Sequence, residues 1–203
     1  MRYNFLGCKV TITFWFIALI TAVLLMEQTG TMIWGIIAAM MHELGHIFAM
    51  VLKGDHIREI KFNLFDIAIV DKTRQNKSYR DDILILFAGP IINFILCVLF
   101  YFLYLLTKIE FLLIPMVQNC LLGIFNILPI ESLDGGQILY AFLLQRFSPK
   151  KSEIIVELVS FVVLLPLAAL GFYLLLQSRY NFTLLLISCY LMAVIFLKKN
   201  KFY

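Results

Sequence analysis

The residues of this chain best suited to do chemistry are two histidines, four positions apart, in Met41-His42-Glu43-Leu44-Gly45-His46. On a helix, residues i and i+4 share a face, so both imidazoles can bind one zinc ion while Glu43, beside them, takes a proton from the attacking water. The chain has only three histidines, so chance assembly of the pattern is a poor explanation. The motif also lies in the middle of an apolar run, residues 32–52, where an ionisable side chain costs about 2.5–3.5 kcal/mol on insertion. A hydrogen-bonded cluster that merely ties helices together would not require this spacing and could be built more cheaply from Asn or Thr.

Two protein ligands leave such an ion incomplete. The positions three and six after His46 are Ala49 and Leu52, so the third-histidine extension of some metalloproteases is absent. Asp66 is one candidate by spacing, but it falls in a polar segment. Asp134 is the better one, in Asn126-Ile127-Leu128-Pro129-Ile130-Glu131-Ser132-Leu133-Asp134-Gly135-Gly136. Pro129 removes a helical donor and ends the preceding helix, and Gly135 and Gly136 permit backbone conformations closed to other residues. Unwound chain at membrane depth is tolerated only where it is buried or lines a water-filled cavity. Asp134 is therefore expected to be presented from a broken helix toward the histidines.

The elements that must position these groups follow from composition. Of 203 residues, 62% are hydrophobic and 15% charged, against roughly 45–50% apolar in a soluble domain. Six apolar runs, residues 10–26, 32–52, 83–106, 111–128, 154–176 and 182–197, are long enough to cross roughly 30 Å of hydrocarbon as helices. The reading is an all-α polytopic membrane protein of about six transmembrane helices, forming one domain over residues 1–203. Fifteen of the seventeen Lys and Arg fall on one side if both termini are cytoplasmic, and only Lys108 and Arg179 fall on the other, as expected from retention of cations inside. The net charge of +4 is accounted for by anionic inner-leaflet lipid, and no nucleic-acid partner is expected. Cys8, Cys97, Cys120 and Cys189 are spread singly and suggest neither disulfides nor a thiolate metal site. Between the second and third spans, residues 57–70 alternate with period two and predict a small β-hairpin. Either the hairpin simply covers the bundle, or its edge near Phe62, Asn63 and Leu64 receives an extended substrate by strand addition.

Taken together, the HELGH helix and the downstream Asn-x-x-Pro…Leu-Asp-Gly-Gly segment resemble the site-2 protease family of intramembrane zinc metalloproteases, peptidase family M50. The Ala88-Gly89-Pro90-Ile91-Ile92-Asn93 segment is also similar to that family. The resemblance covers about residues 32–140. It implies that His42, His46 and Asp134 hold one zinc ion, that Glu43 is the general base, and that Asn126 positions substrate or stabilises the oxyanion. Short length and the lack of a polar insert look most like the sporulation branch that processes a membrane-associated sigma-factor precursor in a bacterial cell membrane. No PDZ or CBS domain is expected. That branch implies a membrane-tethered protein substrate, and leaves room for an inhibitory membrane partner.

The expected reaction is hydrolysis of a peptide bond in or near the bilayer. The substrate must be extended, since a helix shields its carbonyls in internal hydrogen bonds. The rival from another class is a polytopic transport protein whose intramembrane His, Glu and Asp bind a metal ion or relay protons. Such a protein built on repeats should show matching interrupted helices in its two halves, and the HELGH segment has no counterpart after Ile154.

Overall fold

Long apolar runs bounded by helix-stop residues become helices here, and the β-branched stretches near the N-terminus and between the first two long helices become strands. The computed structural model describes residues 2–5, 8–14, 18, 21, 30–54, 57–62, 67–71, 78–178 and 189–193. Strands β1 (Arg2–Phe5) and β2 (Cys8–Ile12) come first. Helix α1 (Thr31–Leu52) starts after Gly30, whose φ of 73° is open to glycine at little cost, and ends at Lys53, just before Gly54, whose φ is 77°. Strands β3 (Ile57–Phe62) and β4 (Ile67–Asp71) follow.

Helix α2 (Tyr79–Thr107) is capped by the Ser78 hydroxyl, which accepts the Arg80 N–H at 3.4 Å, and carries Asp81 and Asp82 in its first turn. Both devices favour a helix N-terminus, by satisfying an orphan donor and by complementing the dipole. A short 3-10 turn, Glu110–Leu112, leads into α3 (Leu113–Ile127). Helices α4 (Asp134–Leu143) and α5 (Pro149–Ser178) complete the described elements, with Pro149 at the first helical position, where its missing N–H costs nothing.

Among the described residues, four segments are long and apolar enough to cross a membrane: Thr31–Leu52, Tyr79–Thr107, Glu110–Ile127 and Pro149–Gln177. They overlie four of the six expected spans. The other two, residues 10–26 and 182–197, lie mostly outside the described residues. Where the first is described at its start, Val10–Ile12 are not helical. They belong to β2, and these three β-branched residues suit a pleated ladder better than a helix. Large apolar side chains such as Leu44 (50% exposed) and Phe48 (62%) stand uncovered on α1. In water such surfaces would drive association; here they face lipid, and the chain is an integral membrane protein.

The four strands form one sheet in the order β1-β2-β3-β4. β3 pairs antiparallel with β4, Phe62 opposite Ile67, and parallel with β2, Phe62 opposite Ile12. This corrects one expectation. Phe62 is on an interior strand with both ladders in use, so it offers no open edge to a peptide; among the described residues the outer strands are β1 and β4. Asn63 and Leu64, the rest of the expected edge, lie outside the described residues.

Two compact units divide the chain, Met1–Ile124 and Phe125–Tyr203. In the first, α1 packs along α2 through glycine. A Cβ on Gly45 would sit 2.8 Å from the Ala88 carbonyl oxygen and 2.9 Å from Ile92 Cγ1, so the absence of a side chain is what lets the two helices approach. In the second, Ile130, Leu164 and Leu191 form a buried cluster with Phe125, Leu128 and Leu133 against it.

Candidate metal centre

Helix α1 carries His42 and His46 one turn apart, and both are buried, at 4% and 8% exposure. Their rings meet edge to face, with centroids 4.8 Å apart and planes at 83°. What each ring nitrogen does is decided by α2. The His46 Nδ1 lies 2.8 Å from the Ile85 carbonyl oxygen, and a carbonyl can only accept, so Nδ1 carries the proton. His42 Nδ1 lies 2.5 Å from Asn93 Oδ1, and it too must donate.

With Nδ1 of each ring turned to an acceptor on α2, Nε2 is the atom each ring turns to the other. Those two atoms are 3.1 Å apart. A cation held by both would take one lone pair from each ring. The space in front of them is kept open by Gly89 of α2. A Cβ there would come within 2.7 Å of His42 Nε2 and closer still to His46 Nε2. Two imidazoles with their distal nitrogens anchored and their lone pairs convergent, beside a glycine cradle, fit a metal ion.

Glu43 follows His42 on α1 and is half-buried. Asn93 of α2, the last residue of the Ala88–Asn93 segment, is completely buried and bridges helices. It joins α1 and α2 to Asn119 of α3, which is also buried and was overlooked. The overlooked signal was an amide within an apolar span, where a polar side chain needs a partner.

In the second unit the chain unwinds after α3 over residues 128–133 and re-enters a helix at Asp134, the first residue of α4, with Leu133 preceding it in an extended conformation. Asp134 is half-buried, and Asn126 lies in the last turn of α3. The glycine pair has a different purpose from the one expected. Neither Gly135 nor Gly136 has a positive φ; both are helical, and main chain presses on them. A Cβ on Gly135 would lie 2.5 Å from the Leu128 carbonyl oxygen, and one on Gly136 would lie 2.6 Å from the Glu131 nitrogen. The loop is further pinned by Ser160 of α5, fully buried, whose hydroxyl accepts the Glu131 N–H at 2.8 Å and donates to the Val156 carbonyl at 2.7 Å. Ser160 was missed because a single serine in an apolar helix has no pattern. Asp66 lies outside the described residues.

Comparison with known proteins bears on these residues. The profile of peptidase family M50 matches residues 31–110 and 106–167. A zinc metalloprotease of Methanocaldococcus jannaschii is 29% identical over 122 residues, 57% of this chain and 35% of that protein; the chain thus spans about a third of the length of this curated relative. Among solved structures, the site-2 protease from Methanocaldococcus jannaschii aligns with a TM-score of 0.66 at 21% identity, covering all of this chain and 96% of that one. That likeness is one of fold.

Proposed function

The chain belongs to peptidase family M50, and we propose that it is an intramembrane zinc metalloprotease that cuts a membrane-tethered protein in or near the bilayer. The observation that carries the reading is the convergence of two Nε2 lone pairs 3.1 Å apart on a buried helix face. A tetrahedral zinc with bonds of about 2.0–2.1 Å to nitrogen holds two imidazole nitrogens about 3.3 Å apart, close to that spacing. In this reading Asp134 supplies the third donor, as its place in the Leu-Asp-Gly-Gly segment suggests, and two imidazoles with one carboxylate suit zinc.

When bound, zinc polarises the scissile carbonyl and makes a water acidic enough to lose its proton near neutral pH. The protein's residues do the rest. Glu43 takes the proton from the attacking water and returns it to the leaving amine. Asn126 donates to the substrate carbonyl as charge develops there. The substrate we favour is a membrane-tethered transcription regulator such as a sigma-factor precursor. The cation distribution supports this, because it puts both termini and the 53–80 segment on the cytoplasmic side, where such a product is needed.

The test is cleavage of a membrane-tethered candidate substrate by the purified protein in vesicles, comparing wild type with Glu43→Gln. The expected result is a 10²–10⁴-fold slower reaction with zinc content unchanged at one per chain. Equal rates in the two proteins, or a zinc-free active wild type, would overturn the reading.

A further inference from the structure

We infer that Asn93 is a positioning residue that selects which nitrogen of His42 faces the metal, and that Asn119 holds the Asn93 amide the right way round. The inference rests on the metal-binding role given to His42 above. It starts from two backbone carbonyls. The Pro115 carbonyl can only accept, so the Asn119 group 2.8 Å from it is the NH₂ end, Nδ2, and Asn119 Oδ1 is left to accept. The Ala38 carbonyl can only accept as well, so the Asn93 group 3.2 Å from it is also the NH₂ end.

The second proton of that NH₂ goes to Asn119 Oδ1 at 2.9 Å. Asn93 Oδ1 then has one orientation available, toward His42 Nδ1. The hydrogen bonds therefore run in a single direction, from His42 to Asn93 to Asn119 to the Pro115 carbonyl. Chains of this kind polarise one another and strengthen in a low-dielectric interior. A reversed His42, with its proton on Nε2, would set its Nδ1 lone pair against Asn93 Oδ1. Ala38 precedes His42 by one helical turn, so the Asn93 side chain grips the carbonyl and the imidazole of the same turn of α1.

The two histidines are thus held in unlike ways. His46 is anchored directly to the Ile85 carbonyl, a group no substitution removes. His42 depends on a side chain. Partners of this sort on a ligating histidine are worth about 10–100-fold in metal affinity, so the loss should appear at His42 when Asn93 can no longer accept a proton.

Asn93→Leu keeps the size of the side chain and removes its acceptor; Asn93→Asp keeps an acceptor for His42 Nδ1. Zinc affinity is measured by chelator competition in detergent, and the tautomer of the metal-free histidines by ¹⁵N NMR. The expected result is a 10–100-fold weaker affinity for Asn93→Leu, a smaller loss for Asn93→Asp, which keeps the acceptor for His42 but gives up the NH₂ donated to Ala38 and Asn119, and a shift of His42 from the Nδ1–H tautomer to a mixture in Asn93→Leu alone. If Asn93 serves packing only, Asn93→Leu binds zinc like wild type while His42→Ala loses it, and the inference fails. Should His42→Ala itself bind zinc normally, the metal-site reading fails instead. Asn119→Leu cuts only the outer link and serves if Asn93→Leu does not fold. A twofold to fivefold weakening with a mixed His42 tautomer supports the relay, and unchanged values refute it.

Discussion

The histidine face of α1 and the Asp134 loop are built on opposite principles. His42 and His46 sit on an uninterrupted helix and are aimed by hydrogen bonds from a second helix, with one buried side chain, Asn93, between His42 and the backbone. Asp134 sits where a helix restarts and is aimed by main chain packed on main chain, with the loop of residues 128–133 lying directly on Gly135 and Gly136. A regular helix fixes where its Cβ atoms point but leaves rotamer and tautomer open. An irregular loop has no such default, so its backbone must be fixed first. In the first region hydrogen bonds therefore set the side chains and a glycine keeps the space they face, whereas in the second the course of the backbone itself rests on close steric contact.

The largest effect that would sharpen this contrast is expected at Gly89. Adding a methyl there fills the space in front of both Nε2 atoms, so Gly89→Ala should weaken zinc binding by at least about 100-fold, roughly 2.7 kcal/mol, while the helices still assemble. Chelator competition reads the affinity and thermal unfolding reads the fold. Binding within threefold of wild type would mean that the lone pairs do not converge on that space.

Next comes the loop. Gly136→Ala sets a Cβ against the Glu131 nitrogen and the Ile130 carbonyl, main-chain atoms that cannot rotate aside as a side chain can. A loss of about 1–3 kcal/mol in unfolding free energy is expected, together with loss of cleavage. A fully stable and active Gly136→Ala protein would show that the loop is looser than its packing requires.

A smaller effect is expected at Ser160. Ser160→Ala leaves the Glu131 N–H without its hydroxyl acceptor, which costs about 1–2 kcal/mol for a desolvated donor. Cleavage should persist at a reduced rate, since the glycine contacts remain. If the unfolding free energy does not change, the hydroxyl is replaceable there and the glycine pair alone shapes the loop.

The reactive residues could be read in the sequence because helical spacing is periodic: His42, Glu43 and His46 are close in space for any helix containing them. The four apolar helices were readable for a similar reason, since hydrocarbon thickness sets a minimum run of apolar residues. Strand pairing was harder to read. Period-two alternation marked residues 57–70 as extended, but nothing local told that β2 would lie alongside β3 and close the edge at Phe62. Parallel partners far apart in the chain leave no short-range signal.

What the chain's own order of residues settles is which groups can do chemistry and which stretches dwell in lipid, because both follow from local spacing and composition. Packing settles which nitrogen of each histidine is turned to an anchoring acceptor and why glycine stands at positions 89, 135 and 136. A tautomer depends on which acceptor a distant residue brings to the ring, and a glycine here is required by atoms that arrive from other parts of the fold. The Pro115 carbonyl orients Asn119 within α3 itself, but the Ala38 carbonyl and Asn119 orient Asn93 only once α1, α2 and α3 are side by side.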